Sequence, residues 1–194
     1  LIWTQDNATN LREEYTYDLA GNRKTLKNKL GAVWTYNYDA LGRLTEEVTP
    51  AVMVQTTADA SAVSRKLVTK IAYDVTGNVI SRTEGVLRDP AGTAVDSASQ
   101  ARITLYAYDS AGRQIRTTQP GWYNKTTGRY QQASDGTTNT LQVTTEVTYD
   151  ALGNAARNRI KINNNGTEAT DLVDSYKVYD AAGRVRYEID ALGG

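Results

Sequence analysis

Tyr38-Asp39-Ala40-Leu41-Gly42-Arg43 is one copy of a short pattern, Tyr-Asp-x-x-Gly followed by Asn or Arg, that recurs along this chain of 194 residues. The other five copies are Tyr17–Asn22, Tyr73–Asn78, Tyr108–Arg113, Tyr149–Asn154 and Tyr179–Arg184. A seventh, degenerate copy covers Ile189–Gly194. Successive Asp residues are separated by 21, 35, 35, 41 and 30 positions. Recurrence of this kind indicates a repeat architecture.

The pattern has the chemistry of a tight turn. An Asp at the first turn position accepts a hydrogen bond from the backbone N–H two residues on, and a Gly at the fourth position adopts a positive φ without steric cost. Each copy therefore predicts a β-hairpin with Asp-x-x-Gly at its tip. The residues that we expect to form the structural motif of the repeat are Tyr17, Asp18, Gly21, Tyr38, Asp39, Gly42, Tyr73, Asp74, Gly77, Tyr108, Asp109, Gly112, Tyr149, Asp150, Gly153, Tyr179, Asp180 and Gly183.

The segments before the turns alternate aromatic or apolar residues with small or polar ones, as in Trp34, Tyr36 and Tyr38. Such alternation predicts strands with the aromatic side chains on one face. After each Gly the alternation is less regular, so the register of the outgoing strand stays open. Tyr is abundant, with 13 residues, and Phe is absent. Because Tyr combines an apolar ring with a hydroxyl that needs a partner, this usage favours an extended sheet over a thick apolar core.

The composition argues against several function classes. The 22 basic and 22 acidic residues balance, whereas nucleic acid is normally bound by a basic surface. The chain contains neither Cys nor His, which removes disulfides, the commonest general base and the commonest metal ligand. No phosphate-binding Gly loop is present. No apolar run approaches the ~20 residues that span a bilayer. We therefore predict a non-enzymatic chain with no catalytic residues, cofactor or metal.

Both ends of the chain fall inside the repeat pattern. We expect residues 1–194 to be a single repeat segment of a larger protein, with about six hairpins, cut within a repeat at both ends. Residues 50–65 fit a strand extension, a short helix or a loop, and Arg88–Gly92 contains a turn signal. Residues 119–141 predict a long hairpin or two, and Asn165-Gly166 predicts a two-residue hairpin. Together, the six hairpin motifs and the segments between them predict an all-β fold of 12 or more strands.

Six phased copies of this pattern, preceded by segments such as Trp34-Thr35-Tyr36-Asn37-Tyr38, resemble the RHS/YD repeat over essentially the whole chain. That family includes bacterial Rhs polymorphic toxins, the B and C components of Tc toxin complexes, and teneurins. The resemblance implies a strip of antiparallel β-hairpins that curls into part of a hollow spiral shell. In bacterial members the shell encloses a C-terminal toxin domain, which an aspartyl autoprotease at the end of the shell releases. No counterpart of that terminal core is found here, so no Asp is assigned a proteolytic role.

The resemblance implies a structural function as part of a toxin-encapsulating shell, in a secreted or cell-surface bacterial protein. The partners would be the rest of the shell and the enclosed toxin, with self-association through open sheet edges. An alternative is a module that binds carbohydrate or a cell surface, because exposed Tyr and Trp rings can stack on sugars. A hydrolase would require two carboxylates in one cleft, whereas each motif Asp starts a separate turn. The Asn or Arg after each Gly is a recognition position or, as we favour, a partner of turn carbonyls or nearby carboxylates.

Overall fold

The computed structural model describes residues 1–5, 11–55, 61–96, 101–119, 123–124, 129–130, 141–164 and 171–191, which form β-strands and the turns between them. The sixteen strands are β1 (Ile2–Gln5), β2 (Arg12–Tyr17), β3 (Arg23–Lys27), β4 (Val33–Tyr38), β5 (Leu44–Val54), β6 (Val63–Tyr73), β7 (Val79–Arg88), β8 (Ala94–Asp96), β9 (Arg102–Tyr108), β10 (Gln114–Thr118), β11 (Tyr123–Asn124), β12 (Arg129–Tyr130), β13 (Leu141–Tyr149), β14 (Ala155–Asn164), β15 (Asp171–Tyr179) and β16 (Val185–Ile189).

The chain divides into two units. Unit 1 comprises Leu1–Ala72 with Arg82–Ala101, and its strands follow the order β1-β2-β3-β4-β5-β6-β7, with β8 paired to β7. Unit 2 comprises Tyr73–Ser81 with Arg102–Gly194, and its strands follow the order β9-β10-β13-β14-β15-β16, while β11 and β12 pair with each other. Neighbouring strands run antiparallel. The predicted all-β fold of successive antiparallel hairpins is confirmed.

The predictions for the segments between the motif copies are confirmed in part. Of the three alternatives for residues 50–65, the described part is a strand extension, because β5 continues to Val54 and β6 begins at Val63. The turn predicted at Asp89–Gly92 is confirmed by a hydrogen bond of 3.0 Å from the Gly92 N–H to the Asp89 carbonyl. Most of residues 119–141 and all of Asn165-Gly166 lie outside the described residues.

Among the residues whose burial the structure describes, few apolar side chains are fully buried. In unit 1, Val48, Val68, Val86 and Ala101 form a small cluster, in which Val68 is completely inaccessible to solvent. Tyr36 is also buried, with 8% of its surface exposed. Because β-branched residues on adjacent strands pack well on a pleated surface, these side chains stabilise the sheet locally. This small cluster agrees with the expectation, from the abundance of Tyr and the lack of Phe, that the sheet has no thick apolar core.

A β-bulge follows each motif turn for which the register is described. After the Gly42 turn, Tyr38 is opposite Leu44 but Asn37 is opposite Glu46, so Thr45 has no partner in the ladder. The same unpaired position, three residues after the motif Gly, is occupied in the other described hairpins by Lys24, Ile115, Ala156 and Arg186. One extra residue inverts the alternation beyond it. This inversion explains why the outgoing strands show no regular period in the sequence.

Candidate functional site

The motif residues build the hairpin turn from local hydrogen bonds. At the first copy, the Asp18 N–H donates to the Asn22 carbonyl (2.9 Å) and the Gly21 N–H donates to the Asp18 carbonyl (3.2 Å). This is a three-residue loop in which the Gly takes a positive φ, as expected for a turn followed by a G1 bulge. The same pair of backbone bonds closes all six copies. The φ values of Gly21, Gly42, Gly77, Gly112, Gly153 and Gly183 lie between 74° and 97°.

The motif Asp side chain caps its own turn. The Oδ1 atom of Asp18 accepts hydrogen bonds from the backbone N–H groups of Ala20 (3.0 Å) and Asn22 (2.8 Å). Equivalent pairs of bonds reach the carboxylates of the other five copies, so the predicted turn chemistry is confirmed. Hydrogen bonds to the ionised form lower a carboxyl pKa. Chiefly through its bond from the Asn22 side chain, the pKa of Asp18 is lowered.

The residue after the motif Gly completes the cap. The Nδ2 group of Asn22 donates to Asp18 Oδ2 at 3.0 Å, and the Nε group of Arg43 donates to Asp39 Oδ2 at 2.7 Å. Asn78, Arg113, Asn154 and Arg184 make the same bond within their own copies. Asn and Arg are thus interchangeable because each places a donor at the second carboxylate oxygen. Of the two interpretations of this position, partnership with a nearby carboxylate is confirmed.

Two further turns have the same construction. Asn28-Lys29-Leu30-Gly31 connects β3 to β4, and the side-chain oxygen of Asn28 accepts from the N–H groups of Leu30 (3.0 Å) and Ala32 (2.9 Å). Asp89 starts an equivalent turn at Gly92. The Asn28 turn lies outside the Tyr-Asp pattern and was therefore not predicted. The signal that could have found it is Asn-x-x-Gly, since Asn shares the local hydrogen bonding of Asp and Gly31 again has a positive φ.

The motif Tyr joins one hairpin to the hairpin before it. Its hydroxyl donates to the backbone carbonyl of the residue two positions after the preceding motif Gly, as in the 3.0 Å bond from Tyr38 to Arg23. The same bond runs from Tyr108 to Val79, from Tyr149 to Gln114 and from Tyr179 to Ala155, at 3.0 to 3.1 Å. Phe could not make this bond, because it has no hydroxyl. Sequence analysis placed the Tyr residues on strands but did not identify this acceptor.

The Tyr hydroxyl bond lies where the ladder between hairpins has already ended. Between four pairs of successive hairpins, the last pair of the ladder has a common position. One residue of the pair is the fourth after a motif Gly, and the other is the third before the next motif Tyr. These pairs are Thr25 with Thr35, Glu46 with Lys70, Arg116 with Glu146, and Arg157 with Tyr176. The hydroxyl therefore satisfies a strand carbonyl that the neighbouring strand no longer reaches. We call this arrangement, from the ladder end to the Tyr hydroxyl bond, the junction.

The turns of successive copies also touch. A Cβ atom added to Gly42 would lie 3.3 Å from the Oδ1 atom of Asn22, and one added to Gly153 would lie 3.2 Å from an Nη atom of Arg113. The guanidinium of Arg113 lies 4.4 Å from the centre of the Tyr149 ring, a distance suited to a cation–π contact. The residue that caps one turn thus packs on the next turn. Gly serves here for its small size as well as for its φ.

The motif residues converge on turns and junctions, and the described contacts bring no two motif Asp side chains together. No group of three or more potential metal ligands occurs among the described residues. The described chain also contains no helix that is long and apolar enough to cross a membrane. Some aromatic rings are accessible: Trp3 is 51% exposed and Tyr187 is 69% exposed.

Comparison with known proteins gives one family-model match and several similar structures. Residues 17–51, which contain the first two motif copies, match the family model described as RHS Repeat. No curated protein sequence matches the chain. Among solved structures, the chain is similar to the crystal structure of TcdB2-TccC3-Cdc42, with 16% identity, a TM-score of 0.30, and coverage of 94% of this chain and 11% of that one. It is also similar to the Photorhabdus luminescens Tc holotoxin pore, with 14% identity, a TM-score of 0.25, and coverage of 96% and 13%.

Proposed function

We propose that this chain, whose residues 17–51 match the RHS Repeat family model, is a non-catalytic structural segment of a longer protein whose repeats form a shell around a C-terminal toxin domain. Its partners are the remaining repeats of that shell and the enclosed toxin. The parent protein is a secreted or cell-surface bacterial protein.

The junction is the observation that supports this proposal best. Every identified role of the motif Tyr, Asp and Gly residues is to close a turn or to attach one hairpin to the next. A sheet that grows by identical junctions can be extended by adding hairpins, and its stability is approximately a sum of repeat and interface terms. A wall of this kind separates two spaces without needing reactive groups of its own.

Limited proteolysis of the full-length parent protein tests the proposal. We expect the C-terminal domain to be cleaved much more slowly in the parent than when it is expressed alone, because the shell excludes the protease. The matched variant carries Tyr149→Phe and Tyr179→Phe, which remove two junction hydroxyls, and we expect faster cleavage of the same domain. Cleavage of the C-terminal domain at equal rates in the parent and in isolation would contradict enclosure.

Carbohydrate or cell-surface binding is the second candidate function. The exposed rings of Trp3 and Tyr187 motivate it, since accessible aromatic faces can stack on sugar rings. Titration of the chain against a glycan panel, followed by Trp and Tyr fluorescence, tests this function. Saturable binding that Trp3→Ala or Tyr187→Ala abolishes would support it. The absence of binding across the panel would remove it.

A further inference from the structure

Two arginine side chains that make no ion pair among the described residues line one pocket of unit 2. The pocket has a volume of about 430 Å³, and Arg116, Arg157 and the hydroxyl-bearing Thr148 contribute to its wall. Arg116 lies on β10, Thr148 on β13 and Arg157 on β14. Three adjacent strands therefore build the pocket.

The register places these side chains on one face of the sheet. Arg116 is opposite Glu146, and Arg157 is opposite Thr148. Glu146 and Thr148 are two residues apart on β13 and so point to the same side, as do residues directly opposite them. The two arginines lie two strands apart and are offset by two residues along β13, so their backbones are about 12 Å apart. Side chains of this length can converge on one small ligand from that separation.

The carboxylates at the pocket already have other partners. Asp109 is paired with Arg113, whose Nη2 atom lies 2.7 Å from Asp109 Oδ2. Glu146 is paired with Lys161, with 2.7 Å between Nζ and Oε1. Among the described residues, neither Arg116 nor Arg157 makes an ion pair or a side-chain hydrogen bond. The pKa of Asp174 is lowered chiefly by the hydrogen bond from Arg159, its ion-pair partner, and the charge of Arg157 helps to lower it.

Arg157 also has a buried donor with no acceptor. Its Nε atom is inaccessible to solvent and has no hydrogen-bond partner among the described residues. Buried polar groups are nearly always satisfied, and exceptions call for an explanation such as an absent ion. Because this Nε atom is inaccessible to solvent, an anionic group in the pocket would accept from the terminal Nη groups of Arg157 and of Arg116.

The repeat itself does not require arginine at these positions. Arg116 and Arg157 are each the fourth residue after a motif Gly, and the same position in other copies is occupied by Thr25, Glu46, Ser81 and Tyr187. The ladder between hairpins ends at this same position where the residue is Thr25 and where it is Glu46. Arginine at this position is therefore particular to the fourth and fifth copies and is not a requirement of the repeat.

We propose that this pocket binds an oxyanion group, a sulfate or a phosphate, through the guanidinium groups of Arg116 and Arg157, with the Thr148 hydroxyl as a further donor. Planar guanidinium forks match the geometry of such groups and bind them with charge-assisted hydrogen bonds. The group could be a free anion or part of a sulfated sugar, which presents the same oxygens. This site is independent of the shell function.

Titration of the full chain with sodium sulfate at constant ionic strength, with NaCl as the balancing salt, tests the site. The Nε–H signals of the arginines in ¹H–¹⁵N NMR spectra report binding directly. We expect the Arg157 signal to shift saturably, and we expect Arg116→Gln or Arg157→Gln to weaken sulfate binding at least about tenfold. Arg186→Gln is the matched control, because it removes the same charge from an exposed position on β16.

The outcomes separate specific binding from a general salt effect. Equal sulfate affinity in the wild type and in the Arg116→Gln/Arg157→Gln double variant would overturn the proposal, as would the lack of any saturable shift at tens of millimolar sulfate. A second arm replaces sulfate by inorganic phosphate and by a sulfated disaccharide. Tighter binding of the disaccharide would assign the site to a sulfated sugar, whereas equal affinities would assign it to the free anion.

Discussion

At the scale of single residues, each position of the motif has a distinct physical role. The Asp carboxylate accepts the backbone donors of its turn, the Gly supplies a positive φ, and the Asn or Arg after it donates to the second carboxylate oxygen. Asn28 performs the Asp role in a turn of the same construction. The turn therefore requires a side-chain hydrogen-bond acceptor at its first position, but this acceptor need not carry a negative charge.

Gly112→Ala is expected to destabilise the chain by about 1–2 kcal/mol, because the φ of 75° is unfavourable for a residue with a Cβ atom. Nothing lies within 4 Å of the position of that Cβ, so backbone strain is the whole effect. Urea unfolding measures the change. Gly112→Asn should cost less, since Asn tolerates this conformation, and Ser110→Ala in the same turn should be nearly neutral. A neutral Gly112→Ala variant would contradict the assigned turn.

At Gly153 we expect a larger loss than at Gly112 for the same change to Ala. Gly153 has a similar φ of 89°, but its added Cβ would also lie 3.2 Å from the Arg113 guanidinium. The Arg113 side chain would have to move from its place on the Tyr149 ring. Urea unfolding of both variants gives the comparison. Equal losses would show that the contact between successive turns contributes nothing.

Acid should destabilise the fold through the motif carboxylates. The pKa of Asp74 is lowered to about 2, chiefly by the hydrogen bond from the Thr76 hydroxyl. A group whose pKa is lower in the folded state stabilises the fold above its unfolded pKa, near 3.9, and this contribution is lost as the pH falls towards the folded value. We therefore expect stability to fall between about pH 4 and pH 2.

Asp74→Asn isolates one carboxylate in this pH dependence. The Asn28 turn shows that an amide can accept the same backbone donors, so the variant should fold, and its stability should change less over the acid range than that of the wild type. Denaturant unfolding at a series of pH values gives the two slopes. Identical slopes would mean that Asp74 does not contribute to the acid transition.

At the scale of elements, the bulge and the junction determine how one hairpin meets the next. The bulge after each described motif turn shifts the outgoing strand by one residue. The ladder to the next hairpin then starts at the fourth residue after the Gly, and the Tyr hydroxyl reaches the carbonyl that precedes the bulge. Turn, bulge and Tyr thus act together as one unit of sheet extension.

Tyr149→Phe should destabilise the chain by about 0.5–1.5 kcal/mol, the usual contribution of one hydrogen bond. The variant keeps the ring beneath Arg113 and removes only the donor to the Gln114 carbonyl. Tyr187→Phe is the matched control, because the Tyr187 ring is 69% exposed and its hydroxyl has no hydrogen-bond partner among the described residues. Chemical denaturation of the two variants is the measurement. Equal stability of both variants would remove the proposed contribution of the junction hydroxyl.

At the scale of the whole molecule, stability depends on many small contributions instead of one large core. The buried apolar cluster of unit 1 contains four side chains, three of them Val. In unit 2, the last strand in the sheet order is β16, where Val185, Tyr187 and Ile189 are 48%, 69% and 42% exposed. An apolar strand at the end of a sheet offers backbone donors and acceptors to another chain.

We expect the chain to self-associate through β16 when it is expressed alone. Sedimentation velocity over a range of concentrations should show a dimer or larger species, and Tyr187→Lys should shift the equilibrium towards monomer, because charged side chains disfavour pairing of edge strands. Leu19→Lys, at an exposed turn position, is the control and should leave the association unchanged. A wild-type chain that stays monomeric at all concentrations would contradict this expectation.

The hairpins were predictable from the sequence because their turns depend on groups within five consecutive residues. Asp, Gly and the residue after Gly contact one another whatever the rest of the chain does, so six turns and the all-β class followed from the motif alone. The Asn28 turn obeys the same chemistry but begins with Asn and is not preceded by Tyr, so the Tyr-Asp pattern does not include it. The expectation of a single repeat segment cut from a larger protein stays a prediction.

Register and long-range partners were decided only by the tertiary structure. The bulges invert the alternation that would have revealed the outgoing strands, and the Tyr hydroxyls bond to carbonyls between 15 and 35 residues away in the chain. Contacts across such distances depend on the register of the paired strands, because shifting a strand by one residue exchanges its two faces. For the same reason, the convergence of Arg116 and Arg157 on one pocket appears only when β10, β13 and β14 are aligned.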